Sequence, residues 1–175
     1  MINRRIENFE TNSSSCHSIG LSSKERGWNN NLPVDENGNL HIYFGEFGWG
    51  PDVLNDPLDK ISYYITDKMH YIYDDSKTYD EIIYEFKKKP EIQELIKIIK
   101  EQCPNVEDII FEPVPNPVPN ETSLICKFGY IDHDSSGITR EITNLRNYIF
   151  NSGVYVVIDN DNSCYFEEIN PETFL

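Results

Sequence analysis

The chain has 175 residues and a formal net charge of −15, and 38% of it is apolar, including 11 Tyr, 9 Phe and 2 Trp. A chain of that length buries roughly 70% of its unfolded surface without cross-links, and the aromatic content describes a globular protein rather than a disordered chain. No run approaches the roughly 18 apolar residues of a membrane span, and the polar, arginine-bearing start is not a signal peptide, so the expectation is one soluble domain over residues 1–175.

In chain order, residues 5–10 and 16–22 read as short extended pieces on either side of a serine cluster. Residues 22–33 then form a polar, Asn-rich loop. Asp35-Glu-Asn-Gly-Asn39 has turn chemistry, and His41-Ile-Tyr-Phe44 after it has strand composition. Residues 45–51, with three glycines around Phe47 and Trp49, read as a loop that ends this strand.

The middle third reads as helical. Asp56 caps and Pro57 opens a helix whose face carries Leu58, Ile61, Ile65, Met69 and Ile72. Thr78 and Glu81 make a capping-box pattern for a second helix with Ile82, Ile83 and Phe86 inward. Pro90 starts a third, with Ile92, Leu95, Ile96 and Ile99 as its stripe. The run Lys87–Lys89 falls at the end of the second helix, where cations suit the dipole, and reads as structural.

The last third returns to strands over 108–113 and 123–131, joined by a stiff proline-rich loop over 113–119. One helix capped near Ser135 or Ser136 follows, with Ile138, Ile142, Leu145 and Ile149 inward and Gly153 past its end. Residues 154–158 and 163–168 then read as a hairpin around Asp159-Asn-Asp-Asn162. The expected fold class is α+β: a single domain with a mostly antiparallel sheet packed against about four helices.

Cys16, Cys103, Cys126 and Cys164 are widely spaced, with no C-x-x-C pair, and read as reduced structural thiols. Asp132-His-Asp-Ser-Ser-Gly137 matches the first half of a calcium loop but has Thr143 where a bidentate Glu is needed, so it reads as a helix-capping turn. No metal and no cofactor are expected.

Thr11-Asn-Ser-Ser-Ser-Cys-His-Ser18 is the densest polar chemistry in the chain. One reading is an anion or ligand site: Arg4 and Arg5 supply counter-charge, Asn12, Ser13, Ser14 and Ser18 supply donors, and Trp49 stacks on the ligand. In an extended segment Ser15 and His17 share a face, as a nucleophile and its general base would. The other reading is a turn whose serines satisfy their own backbone.

Charge is uneven along the chain. Residues 1–28 hold four bases against three acids, whereas residues 104–175 hold twelve acids and three bases. Such a field repels nucleic acid and anionic membrane and steers a basic protein surface inward. Asp159, Asp161, Glu167 and Glu168 are the candidate partner-binding acidic face. The ordinary account of the same residues is a solvated surface.

The segment Phe9-Glu-Thr-Asn-Ser-Ser-Ser-Cys-His-Ser-Ile19 resembles the Phe-Glu-Thr-Asn-Ser-Ser-Ser-Thr-His-Ser signature that opens many small proteins of bacteriophages and prophages, with Cys16 in place of Thr. Gly45-Glu-Phe-Gly-Trp49 and the stretch from Asn55-Asp-Pro-Leu58 to Tyr63-Tyr64 are similar to the same group. The resemblance implies a phage or prophage product acting in the bacterial cytoplasm, but carries no activity with it. The favoured expectation is a non-enzymatic accessory protein that binds and modulates a host factor with a basic surface, such as a defence or nucleic-acid enzyme. The alternative is a nucleotide-binding, sequestering or phosphoester-directed protein using Ser15 and His17.

Overall fold

The computed structural model describes residues 15–22, 27–48, 52–69, 76–115, 124–132 and 138–160. In chain order the elements are β1 (Ser15–Leu21), β2 (Asn39–Tyr43), β3 (Glu46–Phe47), β4 (Asp52–Leu54), α1 (Pro57–Met69), α2 (Tyr79–Lys87), α3 (Pro90–Gln102), β5 (Asp108–Glu112), β6 (Tyr130–Ile131), α4 (Leu145–Phe150) and β7 (Val154–Asn160). The fold is α+β, as expected, with four α-helices and an antiparallel three-stranded sheet among the described residues. Two compact units result: the first draws on Met1–Asn29, Phe47–Lys60 and Ile131–Leu175, the second on Asn30–Glu46 and Ile61–Tyr130.

The first unit is built on the sheet β1-β7-β4. Its central strand begins Val-Tyr-Val-Val-Ile, a near-continuous apolar run that suits a strand covered on both faces. Val154, Tyr155, Val156 and Ile158 are all buried. β1 runs antiparallel to it, with His17 opposite Ile158 and Leu21 opposite Val154, and β4 flanks the other edge with Asp52 opposite Ile158 and Leu54 opposite Val156. Gly20 faces Tyr155 across the β1–β7 pair, and a Cβ there would lie 2.2 Å from the Tyr155 ring, so the missing side chain is what lets the ring lie over the strand. α4 is capped by Asn144, whose side chain accepts from the Asn147 N–H at 2.9 Å. Asn151 turns the chain into β7 by accepting from the Gly153 N–H at 2.8 Å.

In the second unit β2 and β5 pair in parallel, Leu40 opposite Ile109 and Ile42 opposite Phe111, with the helical segment of the chain as the crossover that parallel strands require. These four residues are buried, and their neighbours along each strand alternate outward. Phe44 is the hub of an aromatic cluster, with ring centroids 5.9 Å from Phe86, 6.3 Å from Phe111 and 5.5 Å, edge-on, from Phe128. Tyr79 stacks on Phe128 at 5.1 Å. The capping box of α2 forms as read: the Thr78 side chain accepts from the Glu81 N–H, while the Glu81 carboxylate accepts from the Thr78 N–H at 2.8 Å. Asp56 accepts from the Leu58 N–H at 2.8 Å, as the cap assigned to α1 should.

Several expectations need correction. The expected strand over 123–131 is a 3-10 turn, Leu124–Lys127, followed by the two-residue β6, because Gly129 adopts φ 69° against the Gly45 carbonyl and turns the chain. The single helix expected after Ser136 is a 3-10 turn, Ile138–Glu141, and then α4, because Asn144 caps a new helix where the first was expected to continue. The loop expected over 45–51 contains β3, with Gly48 at φ 103° after it. On α3 the buried stripe is Ile92, Leu95, Ile98 and Ile99, with Ile96 half-buried. β7 pairs with β1 and β4, and the second arm of the expected C-terminal hairpin lies outside the described residues.

Candidate functional site

Ser15, Cys16, His17 and Ser18 of the serine and histidine cluster open β1. Register pairs Ser15 with Asn160, Cys16 with Asp159, His17 with Ile158 and Ser18 with Val157. The strand thus brings Ser15, His17 and Ser18 beside the start of the acidic C-terminal segment at Asp159, a juxtaposition that the sequence did not suggest. His17 and Ser18 are each only 4% exposed although they point to opposite faces, so both faces of β1 are covered there. Arg4, Arg5, Asn12, Ser13, Ser14, Trp49, Asp161, Glu167 and Glu168 lie outside the described residues.

A second constellation went unrecognised in the sequence. Asp35 opens the turn before β2, and its Oδ1 accepts from the N–H groups of Asn37 and Asn39, both at 2.8 Å, while Oδ2 accepts from Asn39 Nδ2 at 2.9 Å. These bonds, those of Asn39 foremost, hold the carboxyl well below the usual carboxylate range. His41 follows on the outer face of β2. Its Nδ1 is 2.8 Å from Glu112 Oε1 at the end of β5, and its Nε2 is 3.4 Å from Asp35 Oδ2. The three side chains are each about a third exposed, at 34%, 31% and 28% for His41, Asp35 and Glu112.

An imidazole between two carboxylates satisfies both only while it carries both protons, because each carboxylate is an acceptor and each needs an N–H. The Glu112 bond first, and then that of Asp35, raise the His41 pKa above its ordinary value. While it carries both protons the imidazole is neither a base nor a metal ligand. Among the described residues no group of three or more His, Cys, Asp or Glu side chains is arranged to hold a metal ion. The sequence carried half of this signal, since Asp35 and Asn39 announced the turn and His41 alternates outward in a strand. The missing half was the parallel register that delivers Glu112 from 71 residues away.

The first unit contains a third group of interest. Asp52, Asp56 and Asp59 are all exposed around the start of α1, and the Asp59 carboxyl is held above its ordinary value by burial and by the charges of Asp56 and Asp52. Among the described residues no lysine or arginine forms a salt bridge with them. The next residue, Lys60, is fully buried and donates its ammonium to the carbonyls of Asn151, at 3.1 Å, and Val154, at 2.9 Å. Strand pairing sets Asp52 against Ile158, one residue from Asp159. Compared with protein-family models, with curated proteins and with solved structures, the chain finds no match.

Proposed function

We propose that this chain is an accessory protein of a phage or prophage that acts in the bacterial cytoplasm by binding a host protein with a basic surface. The class of partner we favour is a defence or nucleic-acid enzyme whose basic groove is occupied in place of nucleic acid. The observation that carries this reading is the net charge of −15, with carboxylates such as Asp52, Asp56 and Asp59 exposed and, among the described residues, in no salt bridge with a lysine or arginine. An acidic surface of this kind accelerates encounter with a basic partner and weakens as salt screens it. An enzymatic reading centred on Ser15 and His17 needs an imidazole that a phosphoester can reach, and the burial of His17 weighs against it.

The test is capture from host lysate on immobilised protein, followed by washes from about 0.05 M to about 0.5 M salt. A partner with a basic surface is expected to be retained at the low end and released at the high end. The combined Asp52→Asn, Asp56→Asn and Asp59→Asn variant should release it at lower salt. Failure to retain any salt-sensitive partner overturns the proposal.

A further inference from the structure

The outer face of the β2–β5 pair carries His41 and Tyr43 from one strand and Asp108 and Glu112 from the other, with Asp35 reaching in from the turn. Asp35 also finishes the edge of β2 that faces away from β5. The Phe44 N–H donates to Glu112 O at 3.0 Å, which fixes the ladder phase so that residues 39, 41 and 43 direct their backbone groups away from β5. At Asn39 both outward groups are taken by Asp35: its Oδ1 accepts from the Asn39 N–H, and its own N–H donates to Asn39 O at 3.0 Å. Asp35 is therefore the residue through which the turn closes the strand edge.

We propose that His41 is a proton-operated link between this turn and the end of β5, closed on both carboxylates while the imidazole carries two protons and released from Asp35 when it loses one. A neutral imidazole has a single N–H, and neither carboxylate has a proton to offer in return, so one of the two contacts must be given up. The Glu112 contact is 2.8 Å and the Asp35 contact 3.4 Å, so the proton stays on Nδ1 and Asp35 is the partner released. Asp35 stays ionised, because three N–H groups from Asn37 and Asn39 continue to hold it. The groups facing His41 are the carboxylates of Glu112 at the end of β5 and of Asp35 in the turn, while Asp108 and Tyr43 lie further along the same face. Among the described residues neither Asp35 nor Glu112 forms a salt bridge with a lysine or arginine, and the imidazolium, while protonated, is the cation in contact with both. Opening the link takes the Asp35–His41–Glu112 group from one net negative charge to two and removes the side-chain tie that spans turn and strand. The turn keeps its own backbone bonds, among them Glu107 N–H to Gly38 O at 2.8 Å, so the change is local.

The test is an NMR titration of the full chain, following the imidazole signals of the four histidines and the backbone amides of Asn37 and Asn39, with His41 identified by its loss in His41→Gln. His41 is expected to titrate above the ordinary value of about 6.5, and the Asn37 and Asn39 amides should shift with that same midpoint. In Glu112→Gln the midpoint should fall, and in His41→Gln the coupled amide shifts should vanish. Titration of His41 at or below the ordinary value overturns the proposal, and so do amides that do not move with it. The wild-type arm, with His41 assigned through its own backbone amide, decides the question even if a variant fails to fold.

Discussion

Lys60 of α1 donates its ammonium to the carbonyl oxygen of Val154, 2.9 Å away, at the first residue of the central strand of the antiparallel sheet. The same ammonium reaches Asn151 O at 3.1 Å, and the Tyr148 hydroxyl donates back to Lys60 O at 3.1 Å, so α1, α4 and β7 are tied by three bonds through one residue. Burial pushes the lysine down to about 8 from its ordinary 10.5.

Replacing Lys60 with Met fills similar volume but takes the side-chain donor from the Val154 carbonyl, while the Asn151 carbonyl keeps the Val154 N–H at 3.0 Å. Such a loss costs about 1–3 kcal/mol, against which stands the relief of no longer burying a charge, so a net destabilisation of about 1 kcal/mol is expected in denaturant unfolding. The pH dependence has a definite sign. Between about 8 and 10.5 the unfolded chain holds this proton and the folded chain does not, so wild-type stability should rise with pH by up to about 1.4 kcal/mol per unit. Tyr64, pushed up to about 12 by burial, acts the other way once unfolded tyrosines ionise near 10, so the slope is best read below that. Equal slopes for wild type and Lys60→Met would show that the lysine does not titrate as described.

Gly20 and Tyr155 make a second pair with a measurable coupling. A Val at position 20 would press its Cβ to within 2.2 Å of the ring carbon, and the ring must leave the strand surface. Overpacking of this kind costs about 1–3 kcal/mol. Gly20→Val should be costly in the wild type and much cheaper when Tyr155→Ala has already removed the ring. Denaturant midpoints of the four proteins give that interaction directly, and additive effects would exclude it.

These pairs show where the sequence is informative and where it is silent. Thr78 with Glu81 and Asp56 with Pro57 could be placed because capping depends on residues a few positions apart. The outward alternation of His41 was readable for the same reason. Gly129 was not recognised as a breaker, since its positive φ answers to the Gly45 carbonyl, which belongs to a distant stretch of chain. Nothing in the sequence sets Lys60 apart from other helical lysines, and only the fold brings Asn151 and Val154 to its ammonium. The Asp35–His41–Glu112 group was missed because a parallel register cannot be inferred from either strand alone. Burial of His17 follows from β1 pairing with β7 rather than from the polar composition of residues 11–18.

The capping box gives a prediction that depends on local chemistry alone. Thr78→Ala removes the side-chain acceptor for the Glu81 N–H and should cost about 1 kcal/mol. Glu81 is held below its ordinary value by the Thr78 N–H and hydroxyl, so its contribution is present above the usual carboxylate range and is lost as pH falls through its folded value. The stability gap between wild type and Glu81→Gln should therefore be open at neutral pH and narrow on acidification below about 4. A gap that does not change with pH would remove the carboxylate from the account.

The outer edge of β5 is finished by side chains, and removing them should expose it. Because Glu112 and its alternates face β2, the carbonyls of Ile109 and Phe111 point outward. Lys87 Nζ donates to the first at 2.7 Å and the Tyr79 hydroxyl to the second at 3.1 Å, while Asp108 accepts from the Ile109 N–H at 2.8 Å. Unpaired strand edges are templates for association, and capping them is one way in which a chain avoids it. Tyr79→Phe keeps the stack on Phe128 and loses only the hydroxyl, so it should cost about 1 kcal/mol. It should also flatten the fall in stability above about pH 10, because burial raises the Tyr79 hydroxyl well above its ordinary value in the folded state. Tyr79→Phe combined with Lys87→Met leaves both carbonyls bare. The double variant is expected to show concentration-dependent light scattering under mild heating at which the wild type and the Tyr79→Phe single variant stay clear. If it scatters no more than they do, the two side chains do not protect the edge.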